Sequence, residues 1–155
     1  MANALPHAIG ARAAQRRRQV IALSGDGGLA ILLGELITLR QQHLPVKIIV
    51  FNNAALSFVE LEIKAAGIFT YGTDRDNPDF AAIARATGPS ATRVEKAAAL
   101  DNAAAVVRHH GPALVTVRTA RQESALGPLG WSCAYSLSVT AEPAVPEVLA
   151  GIRKR

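Results

Sequence analysis

Apolar positions in this chain alternate between two spacings. Short, almost unbroken apolar runs occur in "RQVIALS" before Gly25, in "VKIIVF" and in "PALVTVRT". Such runs suit strands covered on both faces, which lose the in–out alternation of a half-exposed strand. "ATRVEK" reads as a shorter strand. Between them the apolar residues spread to helical spacing. Leu5–Ala14 is helix-compatible, with Pro6 tolerable in a first turn. Leu29–Gln42 carries Ile31, Leu32, Leu33, Leu36, Ile37 and Leu39 and is closed by Pro45. Phe58–Ala66 predicts a short helix before Gly67. "NPDFAAIARATG" predicts another, with Asn77 as N-cap, Pro78 at the first helical position and Gly88 as the stop. "LDNAAAVVRHHG" predicts a last helix, with Asp101 near its start. Strands alternating with helices imply an α/β fold, a mostly parallel doubly wound sheet with helices on both faces. Past residue 120 the period fades. Residues 1–120 are therefore expected to form the domain, and 121–155 an irregular C-terminal extension of it.

Composition narrows this only a little. The chain has 155 residues, enough for one domain with a real core. Half the residues are hydrophobic and 19% are charged, which describes a globular protein. No apolar run reaches the roughly 18 residues a transmembrane helix needs. At the N-terminus the basic residues follow the apolar part, the reverse of a secretory signal. A single cysteine, Cys133, gives no internal disulfide. These features point to the cytoplasm. The net charge of +5 sits largely in "AQRRRQ" and the terminal "GIRKR". Neither cluster is interleaved with stacking aromatics or joined to a recognition motif. They read as solvated surface or anion steering, and nucleic acid is not expected as a partner.

The chemistry is concentrated after the first two strands. "SGDGG" places Asp26 among Gly25, Gly27 and Gly28, and "VFNNAAL" places Asn53 just past the next strand. In a doubly wound sheet, ligands bind outside the carboxyl ends of the strands, so neighbouring strands would bring these two loops together. Glycines let backbone approach a phosphate without an intervening Cβ, and amides opening a helix favour an anion. Mg²⁺ takes about six oxygen ligands, of which protein usually supplies few. Asp26, Asn53 and the carbonyl of Ala55 can supply three. Each loop alone could be an ordinary turn; their pairing in a strand–helix–strand frame favours a metal–diphosphate site. The chain contains neither G-x-x-x-x-G-K-[ST] nor G-x-G-x-x-G.

These residues resemble the diphosphate-binding domain of thiamine diphosphate enzymes, whose signature Gly-Asp-Gly followed by Asn-Asn matches Gly25–Gly27 and Asn52–Asn53. "MANALPHAIGA", "GDGGLAILLGEL", "LPVKIIVFNN" and "FVELEIKAAG" are most similar to the pyruvate oxidase and quinone-dependent pyruvate dehydrogenase branch. The resemblance runs from about Met1 to Thr119. It implies that Asp26, Asn53 and the Ala55 carbonyl ligate Mg²⁺, and that backbone around Gly25, Gly27 and Gly28 holds the diphosphate of thiamine diphosphate. It places Met1 as a hydrophobic wedge beneath the cofactor, and Phe58 and Glu62 on the substrate side. Phe58 and Glu62 would share one helical face, being four apart; as plain residues they would be core packing and solvated surface. The implied reaction is decarboxylation of a 2-keto acid, with pyruvate as the natural guess, and transfer of two electrons to a flavin.

The chain departs from that family in three ways. Members are several times longer and carry pyrimidine-binding and FAD-binding domains upstream. FAD therefore enters only through a domain outside this sequence, and the chain is expected to be inactive alone and to work as a homo-oligomer or with a pyrimidine-domain partner. Ser57 stands where the branch usually has glycine, and the family's C-terminus is not matched beyond about Glu123. The other reading is a noncatalytic fragment or self-association module that keeps the fold. The remaining polar residues point to nothing further. His109 and His110 are adjacent, so they diverge; His7 and His43 have no visible partner. Asp74, Asp76 and Asp79 suit a capped helix start better than calcium.

Overall fold

The computed structural model describes residues 1–120; the extension expected at 121–155, with Cys133 and the basic terminus, lies outside the described residues. The elements are α1 (Ala4–Ala14), β1 (Ile21–Gly25), α2 (Asp26–Ile31), α3 (Glu35–Gln41), β2 (Lys47–Asn52), α4 (Ser57–Ala65), α5 (Phe80–Thr87), β3 (Ser90–Val94), α6 (Leu100–Arg108) and β4 (Ala113–Arg118). Among the described residues the four strands pair in parallel, in the order β1-β2-β4-β3. The expected α/β sheet is therefore present.

Register explains how the two faces are built. Ala22, Ile48, Leu114 and Ala91 lie side by side across the four strands. With Val50 they pack against Leu5 and Ala8 of α1, Leu29 of α2, Leu36 and Leu39 of α3, and Phe80 and Ala84 of α5. Successive residues of a strand point to opposite faces, so Val94, Val115 and Val117 face the other way, where Ala103 and Val107 of α6 cover them. That second layer covers β3 and β4. Leu23, on the side of β1 opposite to Ala22, remains 51% exposed.

Two helix boundaries differ from the sequence expectation. The single helix expected over Leu29–Gln42 begins earlier, at Asp26, and is split into α2 and α3. Bonds of the i→i+3 type (Leu32 N–H to Leu29 O, Glu35 N–H to Leu32 O, Leu36 N–H to Leu33 O) replace the α-helical ladder across the break. The break lies next to Gly34, the residue least favourable to a continuous helix, and it allows Leu29, Leu36 and Leu39 all to be buried. The start of α5 also differs. Its N-cap is Asp79, whose Oδ1 accepts from Ala82 N–H at 3.0 Å, so Asn77 and Pro78 both precede the helix. Gly88 does stop it, at φ 117°.

A buried cation closes the other end of the sheet. Lys47, at the head of β2, donates from Nζ to the carbonyls of His109 and Gly111, just past the end of α6. Burial lowers its pKa below the ordinary 10.5. Between the lowered value and 10.5 the unfolded chain holds more protons than the folded one. The contribution of Lys47 to stability should therefore rise as pH climbs through that window. Lys47→Met should cost about 1–3 kcal/mol by leaving two carbonyls without their donor, and should flatten that alkaline slope. Denaturant titrations of both proteins at several alkaline pH values measure both effects.

Candidate functional site

The parallel sheet places the ends of β1 and β2 side by side, with Gly25 opposite Phe51. Asp26 follows immediately on one strand and the Asn52–Ala55 turn on the other. Asp26 is 4% exposed. Its Oδ1 accepts from Gly27 N–H at 2.8 Å, and its Oδ2 accepts from Ala54 N–H at 3.0 Å and Asn77 Nδ2 at 2.6 Å. Three donors thus fix the carboxyl group, and no basic side chain forms an ion pair with it among the described residues. An ionised carboxylate has about four acceptor positions. Here two are used on Oδ2 and one on Oδ1, which leaves Oδ1 able to bind one more partner.

Asn53 is fixed as firmly. Its Oδ1 accepts from Ala55 N–H at 3.1 Å and its Nδ2 donates to Ser57 Oγ at 2.7 Å. These two bonds set which way round the amide lies. Ser57, the departure noted above, therefore orients the proposed ligand. The turn itself is strained, since Ala54 has φ 55°. It is tied to the loop before α5 by Leu56 N–H to Thr73 O and Arg75 N–H to Ala54 O, a bridge that passes over Ala55 without using its carbonyl.

Asp26, Asn53 and the Ala55 carbonyl would together offer an all-oxygen donor set with one carboxyl group, the hard kind that Mg²⁺ takes. The glycines fit an anion beside it. None of Gly25, Gly27 or Gly28 has positive φ, so backbone conformation does not demand glycine there. A Cβ on Gly25 would meet nothing within 4 Å, and one on Gly28 would make only ordinary contacts with Ser24 and Ala2. At Gly27 a Cβ would lie 2.8 Å from Leu56 Cδ2, so the end of that side chain would have to turn aside. Neither backbone conformation nor packing requires glycine at Gly25 or Gly28, which border open space.

That space is a cavity of about 280 Å³ lined by Met1, Gly25, Asp26, Gly27, Gly28, Ala55 and Phe58, among others. Seven of the sequence-predicted residues are thus brought together. Phe58 is 58% exposed at the first turn of α4. Glu62, one turn further on, is exposed and does not line the cavity. Asn53 borders a neighbouring cavity, on the far side of the turn at Ala54.

Two contributors escaped the sequence reading. Asn77, expected to cap α5, instead bonds Asp26 Oδ2 and, at 3.0 Å, Asn52 Oδ1. Arg75 Nε in turn donates to Asn77 Oδ1 at 3.1 Å. No local pattern gives this away, because Asn77 is 51 residues from Asp26. Asn77→Ala should weaken Mg²⁺ binding about 10- to 100-fold, as removing the support of a metal ligand commonly does. Helix α5 should persist on its Asp79 cap. Calorimetry together with far-UV circular dichroism checks both parts; loss of α5 would return the capping role to Asn77.

The family model described as "Thiamine pyrophosphate enzyme, C-terminal TPP binding domain" matches residues 1–117. The chain is 33% identical over 119 residues to the pyruvate oxidase of Lactiplantibacillus plantarum, covering 74% of this chain and 20% of that protein. It is 34% identical over 90 residues to the large subunit of acetolactate synthase isozyme 2 of Escherichia coli, covering 57% and 16%. Among solved structures, the thiamine diphosphate-dependent 4-hydroxybenzoylformate decarboxylase of Rhodococcus jostii superposes with a TM-score of 0.74 at 32% identity, over 80% of this chain and 24% of that one. The chain thus spans a quarter or less of the length of each of these proteins. With the Gly-Asp-Gly and Asn-Asn loops converging at the ends of adjacent parallel strands, it belongs to the thiamine pyrophosphate enzyme family, as a C-terminal thiamine pyrophosphate-binding domain.

Proposed function

We propose that this domain binds thiamine diphosphate through Mg²⁺ and serves a 2-keto acid-decarboxylating oxidoreductase of the pyruvate oxidase type. The observation that carries the proposal is Asp26, a buried carboxyl group held by three N–H donors, with one acceptor position left beside a glycine cradle. Asp26, Asn53 and the Ala55 carbonyl would hold the metal, and backbone at Gly25, Gly27 and Gly28 would hold the diphosphate. Met1 would offer apolar surface beneath the cofactor. Phe58 would keep water from the substrate side, with Glu62 on the same helical face.

When bound, the cofactor supplies the nucleophilic carbon and electron sink that decarboxylation requires; the protein contributes placement and electrostatics. Pyruvate is the proposed substrate, by similarity to the pyruvate oxidase. FAD would act from a separate domain, and a pyrimidine-binding domain in a homo-oligomer or partner chain would meet the cofactor's other end. The cytoplasm is the proposed location; among the described residues no helix is long and apolar enough to cross a membrane.

Calorimetric titration of thiamine diphosphate with and without Mg²⁺ tests the proposal. Saturable binding only with Mg²⁺ is expected, and no binding in either case would overturn it. A second reading, a self-associating module without catalysis, is favoured by the exposed Phe58, Ile68, Phe69 and Tyr71 on and after α4. Size-exclusion chromatography separates the two: association that strengthens with cofactor supports the first, and cofactor-independent association supports the second.

A further inference from the structure

Beyond the turn at Ala54 lies a second cavity, of about 460 Å³, which shares no lining residue with the first. Its walls include Asn77 and Asn52, the rim residues Arg75 and Asp76, and the ends of β3 and β4. Register puts Thr116 beside Arg93 and Arg118 beside Asn52 in two successive rows of the same sheet face. Two features of this lining point to a ligand.

The first is charge. Arg75, Arg93 and Arg118 face a single acid in the lining, Asp76. Arg93 is taken up by Glu95, at 2.6 Å. Arg75 spends only Nε, on Asn77, which leaves both terminal nitrogens as donors. Arg118 has no ion pair among the described residues. Two guanidinium groups therefore remain, and a guanidinium fork suits phosphate oxygens. The second feature is Thr116. It is 3% exposed and lines this cavity, and its Oγ1 has no hydrogen-bond partner among the described residues. Buried hydroxyls are normally bonded, and leaving one unbonded costs stability.

We propose that this cavity is a second anion site, for a phosphate-bearing small molecule. Arg75 and Arg118 bind the phosphate, and the Thr116 hydroxyl donates to it. The volume falls in the range of small-molecule pockets, so it leaves room for an organic group, and Asp76 on the rim can accept from that group's hydroxyls. Asn53 and Asn77 border both sites, but the proposed phosphate ligands Arg75, Thr116 and Arg118 belong neither to the proposed metal set nor to the glycine cradle, so this proposal does not rest on the cofactor reading.

The test follows amide shifts of the ¹⁵N-labelled full-length chain during titration with inorganic phosphate at constant ionic strength, with acetate as the parallel arm. Saturable shifts at Arg118, Thr119 and Asp76 are expected with phosphate and not with acetate. Arg118→Gln and Thr116→Val should each weaken phosphate binding about tenfold or more, the scale of a hydrogen bond to a charged group. Saturation confined to Gly27 and Gly28 would mean that phosphate occupies the cradle instead, and would overturn the proposal. So would an acetate curve matching the phosphate curve, or no saturation at Arg118 and Thr119. If either variant fails to fold, the native chain's phosphate and acetate curves decide alone. Failure of thiamine diphosphate binding would leave these outcomes unchanged, so the two proposals fail separately.

Discussion

Asp26→Ala is expected to weaken Mg²⁺-dependent thiamine diphosphate binding by about 100-fold or more. Removing a residue that merely supports a metal ligand commonly costs about 10- to 100-fold, and here the only carboxyl group in the donor set disappears. The loss has a second component. Gly27 N–H, Ala54 N–H and Asn77 Nδ2 all converge on this carboxyl group, so the substitution leaves three donors without their acceptor and loosens the tie between the Asn52–Ala55 turn and β1. Because ligand that binds only the folded state raises its stability by mass action, the native chain should melt at higher temperature with Mg²⁺ and cofactor together. The variant should show no such rise. Calorimetry and thermal melts are the measurements, with circular dichroism confirming that the variant is folded. Affinity within about threefold of native, a change of roughly 0.65 kcal/mol or less, would remove Asp26 from the metal site.

The largest effect on stability is expected at Phe80→Ala, which should cost about 3–5 kcal/mol. Phe80 is 1% exposed and heads the largest fully buried side chains of the domain. It packs in the cluster that joins α1, α2, α3 and α5 to the sheet, where Leu36, Leu39, Val50 and Leu114 are themselves fully enclosed. These walls belong to three elements, α3, β2 and β4, each anchored elsewhere, so they cannot all close on the space left behind. Against a typical total of about 5–15 kcal/mol for a domain, this loss is a large fraction. It should appear as a lower denaturation midpoint at unchanged slope. The damage should also reach the site. Phe80 follows the Asp79 cap, and the segment just before it brings Asn77 to Asp26. Mg²⁺ affinity should therefore fall as well. A loss under about 1 kcal/mol, the cost of an ordinary surface change or a volume-conserving swap, would mean the cluster repacks freely.

The element types were legible in the sequence, because hydrophobic spacing is a local property. The unbroken apolar runs of β1, β2 and β4 and the Gly88 stop could all be read directly. The α2–α3 break could not, because it depends on where the sheet needs Leu29 and Leu36 rather than on their spacing. The cap of α5 was missed by two residues: Asn77 and Asp79 are both good capping types, and only the destination of Asn77 separates them. Lys47 gave a faint signal, a lone cation heading an apolar strand, but nothing nearby in sequence named the α6 carbonyls as its partners.

By itself, then, the sequence determined the α/β class, the order of elements and the two loops that carry the site, since composition and spacing act over a few residues. Tertiary structure alone decided that Asn77 supports Asp26, that Ser57 orients Asn53, and that Glu62 stands away from the cavity. It alone brought Arg75, Thr116 and Arg118 around a second cavity. Such partners meet only when strands distant in sequence lie side by side, and hydrogen bonds between them depend on register, which no local pattern records.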